Sequence, residues 1–366
     1  MLRLGIVGLP NVGKSTLFNA LTNSEVSAEN YPFCTVDPNV GTVTIPDARL
    51  LSLNALVKPK ECIPAVVEFV DIAGLVAGAS EGEGLGNQFL SHIREVDAIV
   101  HVVRCFDDPE VAYVAGPADP RRDHDIITTE LALADLAVVE RRLDRVQKSA
   151  RSGDKESEAE ARLLTRVLKE LEAGRGARDA VSADEEKVRL RQLGLLTVKP
   201  VLYAANISEK DLPDGNTAMI EQLRETAREH HEEAEIVVFA AKFEAELTAI
   251  DPAEQGDFRR AVGLDEPGLN RLIKTGYKLL DLETFFTIGD NEVRAWTLKK
   301  GLTAFDAAGE IHSDFQRGFI RAETIHWEEF VAAGSYKSAR DRGLVRGEGR
   351  DYPVTDGDIF LFRFNV

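Results

Sequence analysis

Cysteine is scarce in this sequence, which has 366 residues but only three thiols, at Cys34, Cys62 and Cys105. Three scattered thiols are too few for a disulfide framework, so we expect a reducing compartment and predict a cytoplasmic protein. No run of 18 apolar residues occurs either, so we expect no membrane span. The apolar N-terminal segment has no A-x-A cleavage site and leads straight into a glycine motif. We therefore expect a buried strand there and not a signal peptide.

Positive charge is in deficit, because 44 Lys and Arg stand against 62 Asp and Glu, a net formal charge of −18. Such a balance favours solubility and disfavours non-specific binding to nucleic acid, although a local basic face remains compatible with it. Hydrophobic residues make up 44% of the chain, which is enough for substantial cores. The length predicts about two or three domains.

Short apolar segments alternate with helical stretches in the first third of the chain. This pattern is typical of an α/β fold with a mainly parallel sheet. We predict central strands at 4–7, 66–71 and 98–103, and two more strands of the same sheet at 198–204 and 235–240. We assign residues 1–125 and 198–279 to this domain.

Residues 126–197, between the two parts of this domain, have helical periodicity. Apolar residues recur at spacings of three and four in two runs: Leu136, Val139, Leu143, Val146, and then Ala161, Leu164, Leu168, Leu171. The pattern predicts an inserted helical coiled-coil hairpin, and two ordinary packing helices are the alternative. Residues 121–199 hold 17 Lys and Arg and 16 Asp and Glu, so the insert is the least acidic part of the chain.

The C-terminal region changes character again, with β-rich segments at 295–298, 319–325 and 359–364. We predict a small, strand-rich domain over residues 280–366. Residues 281–366 contain 11 Lys and Arg against 15 Asp and Glu, so weak non-specific RNA affinity is expected. Arg340, Arg342, Arg346 and Arg350 are a local exception and could form one basic edge.

Residues 8–15, GLPNVGKS, match the phosphate-binding pattern G-x-x-x-x-G-K-[ST] between a predicted strand and a predicted helix. In such a loop, backbone N–H groups and the helix N-terminus bind phosphate oxygens. We predict that Lys14 contacts the β- and γ-phosphates and that the Ser15 hydroxyl binds Mg²⁺. The predicted nucleotide-binding residues at this end of the site are Asn11, Val12, Gly13, Lys14, Ser15 and Thr16.

A second motif, Asp71-Ile72-Ala73-Gly74, ends the predicted strand at 66–71. Asp71 is expected to hold Mg²⁺ through water, and the Gly74 N–H to donate to the γ-phosphate. Thr35 is the candidate for a second hydroxyl on Mg²⁺, with an ordinary turn threonine as the alternative. We thus predict metal ligands at Ser15, Thr35 and Asp71, and catalytic groups at Lys14 and Gly74.

Four long segments, GLPNVGKSTLFNALT, DIAGLVAGASEGEGLGNQFLSHIRE, ELALADL and DFQRGFIRAETI, resemble the YchF group of Obg-like P-loop ATPases. The resemblance covers nearly the whole chain. It implies a G-domain, an inserted coiled-coil domain and a C-terminal TGS domain of β-grasp type. It also implies cytosolic work near the ribosome, with the ribosome or a ribosomal subunit as partner. TGS domains occur in proteins that meet RNA, so RNA contact through this domain and the helical insert is a further expectation.

Leu75 follows Gly74 at the position where Ras-like proteins have a Gln that orients the attacking water. Leucine cannot bond that water, so we predict slow intrinsic hydrolysis, accelerated by a partner, and hence a nucleotide-state switch. A nucleotide-gated binding protein or holdase, for which hydrolysis is incidental, is the alternative.

Asn11 occupies the loop position at which an Asn often accompanies K⁺ activation in related GTPases. K⁺ is therefore a candidate second cofactor, with simple stabilisation of the loop as the alternative.

The segment after the predicted strand at 198–204 departs from the N-K-x-D motif with which GTPases recognise guanine. Asn206 is kept, Ile207 replaces the Lys that packs over the ring, and Glu209 replaces the Asp with a longer side chain. Guanine donors left unpaired cost about 1–3 kcal/mol each, so we predict a preference for ATP over GTP. Asn206 is expected to serve either purine, and Ala241 to line the opposite wall. The alternative is that Glu209 bends inwards and both bases bind.

Overall fold

The computed structural model describes residues 2–23, 39–72, 85–109, 111, 116–230 and 234–365. Two units pack separately. The first comprises Met1–Thr42 and Glu68–Gly276, and the second comprises Val43–Val67 and Tyr277–Val366. No helix in the described parts of the chain is long and apolar enough to cross a membrane.

The strands of the described residues are, in chain order, β1 (Arg3–Val7), β2 (Val40–Thr44), β3 (Glu61–Ile63), β4 (Val66–Asp71), β5 (Ala98–Arg104), β6 (Val201–Asn206), β7 (Ile236–Phe239), β8 (Leu282–Ile288), β9 (Glu292–Lys299), β10 (Phe319–His326), β11 (Arg346–Glu348) and β12 (Asp358–Phe364). The helices are α1 (Lys14–Asn23), α2 (Ala48–Val57), α3 (Leu85–Glu95), α4 (Pro120–Ala150), α5 (Lys155–Glu172), α6 (Asp184–Gln192), α7 (Ala218–Glu229), α8 (Ala241–Thr248), α9 (Pro252–Ala261), α10 (Gly268–Leu279), α11 (Ala304–Ile311), α12 (Ser313–Arg317), α13 (Trp327–Ala333) and α14 (Tyr336–Asp341), with 3-10 turns at Ala177–Ala180 and Glu209–Asp211.

The first unit is built on a sheet of order β2-β4-β1-β5-β6-β7, in which β4, β1, β5, β6 and β7 are parallel neighbours. Every residue of β5 is buried, as expected for a central strand covered on both faces. Ile6 lies opposite Asp71, and Asn206 lies opposite Phe239. The carboxyl ends of β1, β4, β6 and β7 therefore meet at one edge, where open parallel sheets bind ligands. The predicted mainly parallel α/β sheet is confirmed.

The helical insert begins earlier than predicted, because Asp119 caps α4 by accepting from the Arg122 N–H at 3.3 Å and Pro120 occupies its first turn. The predicted periodicity is confirmed. Val139, Leu143 and Val146 of α4 are buried with Leu164 and Leu171 of α5, and the other predicted members, Leu136, Ala161 and Leu168, pack against them. A four-residue turn joins α4 to α5, so the two helices form a hairpin held by a hydrophobic seam.

The second unit contains a sheet of order β11-β10-β12-β8-β9-β3. Its edge strand β3 comes from the first part of the chain and pairs in parallel with β9, from Glu61 opposite Glu292 to Ile63 opposite Arg294. Arg49 of α2 forms an ion pair with Asp356 at 2.5 Å. The structure thus differs from the predicted 1–125 segment, since residues 43–67 pack with the C-terminal residues. A three-residue edge strand has no periodic signal of its own, and its pairing is set by β9.

Candidate nucleotide site

The phosphate loop joins β1 to α1 and wraps tightly because two of its glycines lie against other segments. A side chain at Gly8 would place its Cβ 2.5 Å from the Val102 carbonyl oxygen, and one at Gly13 would lie 2.5 Å from Asn206 Nδ2. Gly13 also has φ +101°, a conformation that strains other residues. Val12 is fully buried and anchors the loop, whereas Asn11 is exposed with φ 62°. The loop backbone is therefore shaped for close approach of an anion.

Lys14 is the first residue of α1 and also belongs to the phosphate loop, residues 8–15. Its Nζ donates to the Leu9 carbonyl at 2.8 Å, and the residue is 8% exposed. Burial lowers the pKa of Lys14 to about 8, and the nearby Asp71 carboxylate works against that shift. Ser15 and Thr16 are exposed on the same first turn, where the helix dipole favours negative charge. Together they form the phosphate end of the site.

Ser15 and Asp71 meet at the sheet edge, where the Ser15 hydroxyl donates to Asp71 Oδ2 at 3.3 Å. Asp71 Oδ1 is buried and has no hydrogen-bond partner among the described residues. Burial raises the pKa of Asp71, while the Ser15 hydrogen bond and the Lys14 charge lower it. A hydroxyl beside a carboxylate oxygen that lacks a partner is the oxygen donor set that suits Mg²⁺. These two residues therefore fit the predicted metal position.

Asn206, at the end of β6, connects the phosphate loop to the segment after β7. Its Nδ2 donates to the Val12 carbonyl at 2.9 Å, and its Oδ1 accepts from the Ala241 N–H at 2.9 Å. An amide has two donors and two acceptor sites, so one of each remains for a purine. The sequence predicted that Asn206 contacts a base, but it did not predict that Asn206 bridges Val12 and Ala241. The only sequence signal for the bridge was a polar residue at the end of a buried strand.

The other predicted base-pocket residues lie in different environments. Ala241 is buried at the start of α8. Glu209 is exposed in the 3-10 turn after β6. Ile207 is 3% exposed, so its side chain packs in the core and leaves little surface for packing over a base. Its backbone N–H donates to the Phe239 carbonyl at 2.8 Å. Among the three, only Glu209 presents a polar group at the surface.

Three residues of the predicted mechanism, Thr35, Gly74 and Leu75, lie outside the described residues. The described part of the site therefore comprises the phosphate loop, Lys14, the Ser15–Asp71 pair and the Asn206 bridge. The roles of Thr35 as a metal ligand and of Gly74 as a γ-phosphate donor stay predictions.

Triphosphate affinity is expected to fall as the pH rises through about 8, because Lys14 then loses its charge. The unfolded lysine titrates near 10.5. Between these two pH values the folded chain therefore binds fewer protons than the unfolded chain. Burying the charged Lys14 lowers the free energy of unfolding below pH 8, and this loss of stability disappears as the pH rises to 10.5. Nucleotide titrations at about pH 7 and about pH 9.5 measure the effect. Equal affinities at both values, or the same fall in a Lys14→Ala protein, would contradict this assignment.

Comparison with known proteins identifies the family. The chain is 50% identical over 364 residues to the ribosome-binding ATPase YchF of Escherichia coli O157:H7, covering 100% of this chain and 99% of that protein. It is 51% identical to the protein of the same name from Bacillus subtilis (strain 168), over the full length of both. The chain belongs to the YchF family. It is therefore a P-loop nucleoside triphosphatase with a GTPase-type domain.

Family and structural matches agree with this assignment. Residues 3–169 match the family described as 50S ribosome-binding GTPase, and residues 282–365 match YchF-GTPase_C, described as a protein of unknown function. The structure of the YchF GTPase of Schizosaccharomyces pombe superposes with a TM-score of 0.90 at 37% identity, covering 99% of this chain and 97% of that one. The YchF fold predicted from sequence is thus confirmed over the whole chain.

Proposed function

We propose that this chain is a Mg²⁺-dependent nucleoside triphosphatase that prefers ATP over GTP and acts as a slow nucleotide-state switch on the ribosome. The arrangement of Lys14, Ser15 and Asp71 at one edge of the parallel sheet supports the hydrolytic role. The names of the relatives, ribosome-binding ATPase, support the choice of nucleotide and partner. The same names favour the predicted cytoplasmic location.

The chain's own groups contribute mainly charge and position, which is what phosphoryl transfer requires. The Lys14 ammonium leaves the Leu9 carbonyl and contacts the β- and γ-phosphate oxygens, and the N–H groups at the start of α1 neutralise further charge. Gly13 has no side chain to collide with Asn206, which holds the loop by donating to the Val12 carbonyl. Water orientation is the step for which a partner is needed, because Leu75 has no hydrogen-bonding group.

Mg²⁺ would be held by Ser15 and Asp71, with Thr35 as the proposed third ligand. When bound, it would neutralise negative charge that develops on the phosphate oxygens. K⁺ is proposed as a second cation near Asn11, whose exposed side chain stands at the rim of the phosphate loop. Equal hydrolysis rates in K⁺ and Na⁺ would exclude the K⁺ proposal.

The preference for ATP is expected to depend on Glu209. Its longer side chain does not reproduce the bidentate acceptor that guanine needs, whereas adenine has no N1–H or N2 amine to leave unpaired. Glu209→Asp should therefore shift the ratio of GTP to ATP affinity towards GTP by about tenfold, the equivalent of about 1.4 kcal/mol. Titration of both nucleotides with Mg²⁺ present measures it.

Glu329→Asp is the matched control, because Glu329 is an exposed carboxylate in the second unit. Tighter binding of GTP than of ATP by the unaltered protein would overturn the ATP preference. Ile207→Lys is a poor test, since it would place a charge where the present side chain is buried.

Ribosome binding is proposed to involve RNA contact through the basic edge of the second unit and through the helical insert. Arg340, Arg342, Arg346 and Arg350 are all exposed. Charge reversal of Arg340 and Arg342 to glutamate should lower co-sedimentation with ribosomes at roughly physiological salt. Arg317→Glu is the control, because this exposed arginine already pairs with Asp314 at 2.7 Å. Absence of the unaltered protein from ribosomal fractions in every nucleotide state would contradict the partner.

A further inference from the structure

A cluster of two histidines and an aspartate lies where α4 meets α7. His124 and Asp125 are in the first turns of α4, and His230 ends α7. His124 Nδ1 lies 3.0 Å from Asp125 Oδ1, and His230 Nε2 lies 3.3 Å from the same oxygen. All three potential ligand atoms lie within 4.8 Å of one another. Three donors from two helices thus converge on one point.

The donor types and spacing suit a transition-metal ion. In a tetrahedral Zn²⁺ site with bonds of about 2.0–2.2 Å, neighbouring ligand atoms lie about 3.3–3.6 Å apart. The two separations that involve Asp125 Oδ1, 3.0 Å to His124 Nδ1 and 3.3 Å to His230 Nε2, are at or just below that range. Imidazole with carboxylate favours Zn²⁺ or Co²⁺, whereas Mg²⁺ prefers oxygen donors. The cluster is therefore distinct in chemistry from the Ser15–Asp71 pair.

The rings of the cluster are held in place by the surrounding structure. His124 is fully buried and packs against Tyr203 and His230, with ring centroids 5.6 Å and 4.7 Å away. Asp119 accepts from Gln222 of α7 at 3.1 Å. The beginning of α4 is thus docked on α7 independently of the cluster, so the ligand atoms keep their positions without an ion.

A cavity of about 460 Å³ opens beside the cluster and is lined in part by Asp119, Arg121, Arg122 and Asp125. It offers an ion a route to the carboxylate. The two arginines already have acidic neighbours, Glu229 for Arg121 and Asp123 for Arg122. Their positive charges are therefore partly balanced and do not prevent approach of a cation.

We propose that His124, Asp125 and His230 bind one divalent transition-metal ion of the Zn²⁺ class, with water completing its coordination. The ion fastens the base of the α4–α5 hairpin to the end of α7. The site requires no nucleotide.

Metal uptake by the full-length protein tests the proposal. The chelator-treated protein is dialysed against Co²⁺ or Zn²⁺ without nucleotide and with Mg²⁺ in excess, and bound metal is measured together with the visible Co²⁺ spectrum. About one ion per chain, with the absorption of a tetrahedral N,O site, is expected. His230→Gln and Asp125→Asn should each lower metal affinity at least about tenfold.

Asp125 and His230 are both partly exposed, and His124 keeps its ring contact with Tyr203 when either is replaced. His312→Gln is the control, since it removes an exposed histidine that also has an acidic neighbour, Asp314 at 3.6 Å. Far-ultraviolet circular dichroism establishes that each variant is folded. Failure of the unaltered protein to retain metal, or equal retention by the His230, Asp125 and His312 variants, would overturn the proposal.

Discussion

Lys14→Ala is expected to lower the kcat of ATP hydrolysis by about 10²–10³-fold. The ammonium is the one charged side chain of the phosphate loop, and its burial places it in a low-dielectric site where its attraction to phosphate is strengthened. Removing the charge leaves the phosphates with the backbone donors and the proposed Mg²⁺. Phosphate release measured at saturating ATP and Mg²⁺ gives the change in kcat.

Lys299→Ala is the matched control, because Lys299 is exposed at the end of β9 in the second unit. Its turnover should equal that of the unaltered protein. A Lys14→Ala protein that hydrolyses ATP within about twofold of the unaltered rate would refute the assigned role. If that variant loses turnover but still rescues loss of the gene, the nucleotide-gated binding protein is favoured over the hydrolytic switch.

Asn206→Ala is expected to weaken both nucleotide binding and the first unit itself. The substitution leaves the Val12 carbonyl and the Ala241 N–H without their partner, and unsatisfied buried groups cost about 1–3 kcal/mol each. The phosphate loop then loses its tie to β6 and β7, and a displacement of about 1 Å at such a site costs about 10²-fold in rate. Thermal unfolding, nucleotide titration and turnover should all change together.

Two further variants make this prediction specific. Asn206→Asp keeps the oxygen that accepts from Ala241 but places a second oxygen against the Val12 carbonyl, so at least as large a loss of nucleotide affinity is expected. Asn19→Ala is the control, because Asn19 is exposed on α1. Unchanged affinity and unchanged Tm in Asn206→Ala would show that the bridge does not position the loop.

The phosphate site was predictable because its residues are local. Residues 8–15 contain the turn, the charge and the helix start in eight successive positions, and the strand before them is recognisable from its apolar residues. The hairpin was equally predictable, since apolar residues recur every three or four positions along α4 and α5. Ile207 was harder, because the motif position alone does not tell whether a side chain faces a ligand or the core. Its exposure of 3% comes from neighbouring elements.

The sequence by itself determined the α/β class, the helical insert, the phosphate loop and the family, because each depends on patterns within short segments. Only the tertiary structure decided three other features. Asn206 bridges Val12 and Ala241, residues 43–67 complete the second sheet, and His124 meets His230. Each of these contacts joins segments that are far apart in the chain. Their geometry follows from strand pairing and helix docking, which no local spacing of residues expresses.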